Sequence, residues 1–455
     1  MSLFTGSLKT IHPIRIWGKV TRIVGLIVEG YCPYASIGSL CELTPLDDTP
    51  PVLAEIVGFK DSRALLMPLG DLRGLGPGSR IRVVKASATI KVGSNLLGRV
   101  IDAMENPLDG KPIPLLEEEK QIYSHPPGPM ERRNITEPLD LGVRAINGLI
   151  TCGTGQRLGI MAGSGVGKSV LLGMMARYAR ADVNVIALIG ERGREVREFI
   201  ERDLGKEGLA RSVIVVVTSD QSPLLRMRGA FVATSIAEYF CKQGKNVLLM
   251  MDSVTRFAMA MREIGLAVGE PPTTKGYTPS VFATLPKLLE RAGQFQGQGS
   301  ITGLYTVLVD GDDMTEPVAD SVRSILDGHI VLSRAIAARN HYPAIDVLNS
   351  ASRIMREITT PRHIELAGKA RKVLATYAEA EDLINIGAYA KGSNPGIDFA
   401  ISKIDAINEF LRQGYDEVTP LKQTLEELGN LLSEREKDGT QRLDRRKSDQ
   451  QGKTS

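Results

Sequence analysis

The chain has 455 residues, 56 of them basic and 53 acidic, a net charge of +3 and 42% hydrophobic side chains. So balanced a charge excludes the strong positive field expected of a nucleic-acid or anionic-membrane binder. The length and apolar content allow about three domains of roughly 150 residues each. Four cysteines, Cys32, Cys41, Cys152 and Cys241, show no paired spacing. They predict reduced, buried thiols, not a disulfide framework or a zinc site. No run approaches the ~20 apolar residues of a membrane span. The start lacks a basic segment followed by an apolar core. A soluble, cytoplasmic protein is expected.

Residues 1–13 read as a short flexible lead. From about 14 to 90, short β-branched runs alternate with Gly or Pro, as in VTRIVGLIVE, AEIVG, ALLMPL and SRIRVV. Short strands at regular spacing predict a small β-barrel or sandwich. Residues 91–150 read as an irregular bridge, with four prolines between 124 and 142. From 156 to about 332, apolar strands alternate with helices. The strand expectations are 157–162, 185–190, 213–218, 247–252 and 303–309. This pattern predicts a parallel sheet flanked by helices. Beyond about 350 no strand run stands out. Helical spacing covers 362–383, 397–411 and 418–432, interrupted by GSNPG at 392–396. The polar end, 433–455, is expected to be disordered. The chain thus divides into a barrel unit over 1–90, a sheet-and-helix unit over 91–345 and a helical unit over 346–455.

The chemistry centres on AGSGVGKS, residues 162–169, between the apolar run LGIM and the helix-like run that begins at Val170. Strand, Gly-rich turn and helix in that order form a phosphate-binding loop. Gly163, Gly165 and Gly167 let the backbone curl so that its N–H groups point inward. Ala162, Ser164 and Val166 complete the loop, and the helix N-terminus behind it adds positive potential. Lys168 supplies a point charge for the β- and γ-phosphates. Ser169 offers a hydroxyl to Mg²⁺. The bland alternative is a Gly-rich turn that contains GKS by chance, and the flanking strand and helix argue against it.

Two further segments end apolar strands in a carboxylate. In VIALIGERGR, Glu191 lies just past a core strand, at the edge where open α/β sheets bind ligands. A carboxylate there can polarise the water that attacks a γ-phosphate, with Arg192 holding charge beside it. Taken alone, a solvated Glu-Arg pair is the simpler account; one strand after the loop, catalysis is favoured. In VLLMMD, Asp252 ends a buried strand downstream of GKS, the place of an Mg²⁺-orienting aspartate. Arg256, four residues on, can face the same edge. In HYPAIDVLNSASRI, from His341, spacing assigns no role. Tyr342 is either an adenine-stacking ring or core, and Arg353 either an arginine finger or a surface charge.

These motifs, with GEPPTTKGYTPS at 269–280, resemble the catalytic subunits of the rotary ATPase family from about Gly18 to Leu411. Within that family they are most similar to the flagellar type III protein-export ATPases. Ala162 and Ser169 point to this export branch, since ATP synthase β subunits usually carry Thr at the second position. The resemblance implies an α/β fold with a central P-loop (RecA-like) parallel-sheet domain, an N-terminal β-barrel and a C-terminal helical domain. It implies a Mg²⁺-dependent ATPase in which Lys168 and Ser169 hold phosphates and Mg²⁺, and Glu191 is the catalytic glutamate. Arg192 matches a nucleotide-site arginine, Asp252 the Mg²⁺-side aspartate acting through water, and Tyr342 the adenine-stacking tyrosine. Arg353 matches the arginine finger that enters a neighbour's site. Implied partners are further copies in a hexamer, an export-apparatus regulator, a central stalk, export-gate proteins, and export substrates with their chaperones. The implied location is the cytoplasmic face of the inner membrane, peripheral through the apparatus. The family's flagellar members bind the regulator through an N-terminal extension; here only about a dozen residues precede the barrel.

Rival classes are weaker. A proton-driven ATP synthase subunit is separated by the residues at 162 and 169. A non-catalytic nucleotide-binding subunit carries Gln where Glu191 stands. A nucleic-acid translocase wants a basic, aromatic-rich face, against 5% aromatic residues here. An ATPase of a virulence-type secretion system is the nearest alternative, and motifs alone do not separate it.

Overall fold

The structure, a computed structural model, describes residues 17–309 and 313–433. The expected lead (1–13) and the expected tail beyond 433 lie outside the described residues.

The first six strands are β1 Gly18–Val24, β2 Ile27–Tyr31, β3 Leu40–Thr44, β4 Val52–Lys60, β5 Arg63–Pro68 and β6 Arg80–Lys85. They form a closed barrel in the order β1-β2-β5-β4-β3-β6, sealed where Gly18 pairs with Ile81. Closure leaves no strand edge open for further pairing. Alternate residues point inward, and Val20, Val28, Leu43, Ile56, Leu66 and Ile81 fill the lumen.

The bridge is less irregular than its prolines suggest. β7 Thr89–Val92 pairs with β9 Glu118–Gln121, and between them β8 Arg99–Ile101 joins the main sheet beside a strand more than a hundred residues later. Tyr123, just after β9, donates to Glu55 of the barrel at 2.8 Å. Arg228 meets the same carboxylate at 3.3 Å, and both ions are buried.

The main sheet contains β10 Arg157–Ala162, β11 Val183–Glu191, β12 Ser212–Thr218, β13 Asn246–Asp252, the short β14 Gly293–Gln294, β15 Ser300–Leu308, β16 Gly328–Leu332 and β17 Ile345–Ser352. Its order is β17-β16-β10-β15-β13-β11-β12-β8, parallel except for β17 against β16 and for β14, which pairs antiparallel with β15. Five of these strands fall where the apolar runs predict them. Parallel strands buried on both faces read as continuous hydrophobic runs, as IVVV and VLLMM do. β16 and β17 are departures from the expected five. β17 extends the sheet to Ser352, past the point where strands were expected to end.

Helices cover both faces. Lys168–Tyr178 packs on one and Pro223–Lys242 on the other. The C-terminal helices Pro361–Asn385, Pro395–Leu411 and Leu421–Ser433 match the helical spacing of the sequence. They are tied to the sheet domain through Arg144, which donates to Phe410 O at 2.7 Å and pairs with Glu417. All four cysteines are buried as free thiols. No helix among the described residues is long and apolar enough to cross a membrane.

Candidate active site at the carboxyl edge of the sheet

β10 ends at Ala162, and residues 163–167 turn the chain into the helix Lys168–Tyr178. Gly167 caps that helix at φ +86°, a left-handed conformation that a side chain resists. Gly163 gives room to Arg334: a β-carbon there would lie 2.7 Å from its Nε and push the guanidinium aside.

Three of the expected residues meet at the mouth of this loop. Lys168, the first residue of its helix, contacts Asp252 Oδ1 directly through Nζ. The same ammonium stands 3.7 Å from Glu191 Oε1. Asp252 closes β13, which lies beside β11 in the register Leu188↔Asp252. Thr306 Oγ1, on β15, donates to Asp252 Oδ1 at 2.7 Å and fixes its rotamer from the other side.

Glu191 reaches Lys168 because β11 is bulged. Its register against β12 shifts between Ile189 and Glu191, leaving Gly190 as the extra residue at φ +72°. A bulge re-aims the side chain that follows it. Strict alternation would put Glu191 on the face of Ala187 and Ile189, which pack away from the Lys168–Tyr178 helix. The extra residue returns it to the helix side. Arg256 packs against the bulge, where a β-carbon on Gly190 would come within 2.9 Å of Arg256 Cβ.

The electrostatics follow from this crowding. Burial pushes the Glu191 carboxyl up to about 7, and the charge of Asp252 adds to the rise while Lys168 opposes it. Burial alone would lower the Lys168 ammonium, but Asp252 and Glu191 outweigh it and the net shift is upward. The two carboxylates thus hold the lysine in its charged form.

The other expected residues are placed as follows. Ser169 is exposed at the loop mouth, one residue past Lys168, and Val170 continues the helix. Tyr342 is half-exposed and stands over the loop: a β-carbon on Gly167 would meet its Cδ1 at 3.4 Å. Its carbonyl accepts from Gln413 N–H at 2.9 Å, so the C-terminal segment positions it. Arg192 points outward, 3.0 Å from Glu195 Oε1. Arg353 is not brought to this cluster. It follows β17, its N–H donates to Asp327 O at 3.0 Å and its Nη2 to Arg323 O at 3.1 Å. That is the end where β10 begins, and the six residues of β10 span roughly 17 Å.

Thr306, Arg334 and Glu195 were not singled out by sequence reading. Glu195 lies one helical turn past Glu191 and is visible as the second Glu of GERGRE. Thr306 becomes visible only once the register of β13 against β15 is known.

A phosphate cradle at the carboxyl edge of a parallel sheet, with an acid poised near neutrality across from its lysine, belongs to nucleoside triphosphatases of the P-loop class. Comparison with known proteins narrows this. Residues 142–352 match the model of the ATP synthase alpha/beta family nucleotide-binding domain, and 359–430 that of the T3SS EscN ATPase C-terminal domain. The flagellum-specific ATP synthase of Bacillus subtilis is 55% identical over 421 residues, 92% of this chain and 96% of that protein. The type 3 secretion system ATPase of Xanthomonas euvesicatoria is 51% identical over 427 residues, 94% of this chain and 96% of that one. The assembled ATPase EscN of the enteropathogenic E. coli type III secretion system superposes with a TM-score of 0.87 at 47% identity, covering 91% of this chain and 100% of its own. EscN in complex with its central stalk EscO gives 0.85 at the same identity and coverage. The chain belongs to the family of flagellum-specific and type III secretion ATPases, and it is an ATPase.

Proposed function

We propose that this ATPase energises protein export by a flagellar type III secretion apparatus. The observation that carries the reading is its 55% identity to the flagellum-specific enzyme of Bacillus subtilis over 92% of this chain. ATP enters over the loop 163–167, its phosphates against the backbone N–H groups and Lys168 Nζ. Tyr342 stacks on the adenine, and Arg192 swings from Glu195 to add charge at the phosphates.

The residues present fit Mg²⁺. Ser169 gives a hydroxyl, and Asp252, fixed by Thr306, gives a carboxylate facing the loop through water. Among the described residues no group of three or more His, Cys, Asp or Glu side chains is placed to hold a metal. Ser169 and Asp252 would leave the rest of the cation's shell to substrate phosphates and water, the usual way Mg²⁺ is held. When bound, it neutralises developing charge on the β- and γ-phosphates. Glu191 orients the attacking water and accepts its proton. Arg353, at the far end of the sheet, serves the site of the next copy in a ring, most simply a homohexamer as in the family. A central stalk, the regulator, the export gate and chaperone-bound substrates are the partners of such a ring at the inner membrane face.

The alternative is export through a virulence-type apparatus, favoured by the match of 359–430 to the secretion-ATPase C-terminal model. Deleting the gene from its host decides between them. The flagellar reading expects loss of extracellular flagellin and motility, both restored by the wild-type gene but not by a Glu191→Gln allele. Normal flagella together with loss of an injected effector would overturn it.

A further inference from the structure

At the end of the sheet opposite Lys168, one ion pair holds the turn that carries Arg353. Arg157, the first residue of β10, binds Asp327 through a fork: Nη2 to Oδ1 at 2.9 Å and Nε to Oδ2 at 3.0 Å. Its backbone N–H reaches Oδ2 at 3.1 Å, and its carbonyl accepts from Asp327 N–H at 2.9 Å. Arg157 is additionally paired to Glu290 at 2.5 Å, and Glu290 to Arg132 at 3.1 Å. Asp327 is thereby fixed at both main chain and side chain. Its own carbonyl accepts from Arg353 N–H at 3.0 Å and from Gln156 Nε2 at 3.1 Å. Gln156 also donates to Ser352 Oγ at 3.0 Å, so both residues at the end of β17 are tied to the start of β10. Among the described residues, the guanidinium of Arg353 rests on the Arg323 carbonyl, and it is exposed.

We propose that the Arg157–Asp327 pair is the mount of the arginine finger, a positioning device that acts on the neighbouring copy's reaction and not on its own chain's. This rests on Arg353 acting in trans as proposed above. The pair is largely shielded, with Arg157 14% and Asp327 25% exposed, and the fork gives it a defined geometry. A long exposed side chain delivers its charge accurately only if its backbone is fixed, and a misplacement of about 1 Å in a catalytic group can cost roughly 10²-fold in rate. β10 then joins two functions in one rigid strand. Its end opens the chain's own phosphate loop, and its start holds the arginine lent to the next site.

The test uses the full-length ATPase in mixed rings. Asp327→Asn, nearly isosteric, removes the charge that Arg157 grips. The expected result is a kcat lowered tenfold or more at unchanged KM for ATP, since the chain's own cradle is untouched. Mixed with Glu191→Gln chains, it regains activity, because the Asp327→Asn chain keeps its glutamate and the other chain keeps its mounted finger. Mixed with Arg353→Ala chains, it regains none, because neither carries a working finger. Arg157→Lys, which keeps the charge but loses the fork, gives the same pattern in smaller measure and decides the matter if Asp327→Asn does not bind ATP. Restoration by Arg353→Ala chains overturns the proposal, because the defect then lies within the chain's own site. So does an unchanged kcat in both variants. An active Arg353→Ala homo-oligomer would instead remove the finger reading on which the mount depends.

Discussion

Lys168 Nζ touches Asp252 Oδ1 while Glu191 Oε1 stands 3.7 Å from the same ammonium. One largely shielded cation is thus shared by two carboxylates at the mouth of the loop 163–167. In the proposed site the phosphates of ATP compete with both for it. Replacing Lys168 by Ala removes the cation and leaves Asp252 and Glu191 repelling each other and the substrate. Nucleotide affinity should fall by about tenfold or more, from the ~1.5–3 kcal/mol of a charge-assisted hydrogen bond. Equilibrium titration with a fluorescent ATP analogue reads it, and unchanged affinity means the loop is not the cradle.

Glu191→Gln should separate binding from chemistry. The amide keeps the shape but cannot take a proton from water. A positioned base contributes typically 10²–10⁴-fold, so kcat should drop by about that factor while ATP still binds. Phosphate release at near wild-type rates would remove Glu191 from the mechanism.

The raised carboxyl of Glu191 gives a pH signature. Its ordinary value of 4.5 is shifted to about 7 by burial beside Asp252. Below that pH the group is protonated and cannot act as base; above it the carboxylate is available. The ratio kcat/KM, which reports the free enzyme, should therefore rise as pH increases through about 7 and then level off. The residual activity of Glu191→Gln should lack this limb. An identical limb in the variant would assign it to another group.

Gly190→Ala probes the bulge. Alanine at φ +72° is strained, and its β-carbon would press on Arg256. The left-handed conformation costs a non-glycine residue roughly 1–2 kcal/mol. A modest fall in thermal midpoint is expected, with a larger fall in kcat as Glu191 loses its aim. Wild-type kcat in a destabilised variant would show that the bulge matters only to folding.

The sequence makes local features legible and hides relational ones. AGSGVGKS, the GER segment and VLLMMD carry their meaning within a few residues, since a phosphate loop and a buried strand ending in a carboxylate are short-range patterns. The buried parallel strands are equally plain. β17 is not, because IDVLNSAS is a half-exposed antiparallel edge strand without a continuous apolar run. β8 has only three residues and finds its partner, β12, far along the chain. The barrel strand β3, LCELT, is likewise too short to separate from its turns. Thr306 on Asp252, the bulge at Gly190 and the Arg157–Asp327 pair all depend on register between distant strands. Arg353 sits between these cases: its motif is readable, but its distance from its own chain's Lys168 is a property of the folded sheet.

That distance makes assembly the central claim. If Arg353 completes a neighbour's site, specific activity should climb with protein concentration as rings form, and the finger should be worth roughly 10³–10⁵ in rate. The most direct measurement is ATP hydrolysis by Arg353→Ala and Glu191→Gln chains, each alone and then mixed. Each alone should be nearly inactive. Mixed, they should recover a substantial fraction of wild-type activity, because some interfaces pair an intact Glu191 with the intact Arg353 of the neighbouring copy. No recovery, with activity per chain constant across the monomer-to-oligomer range, would contradict a site shared between neighbours.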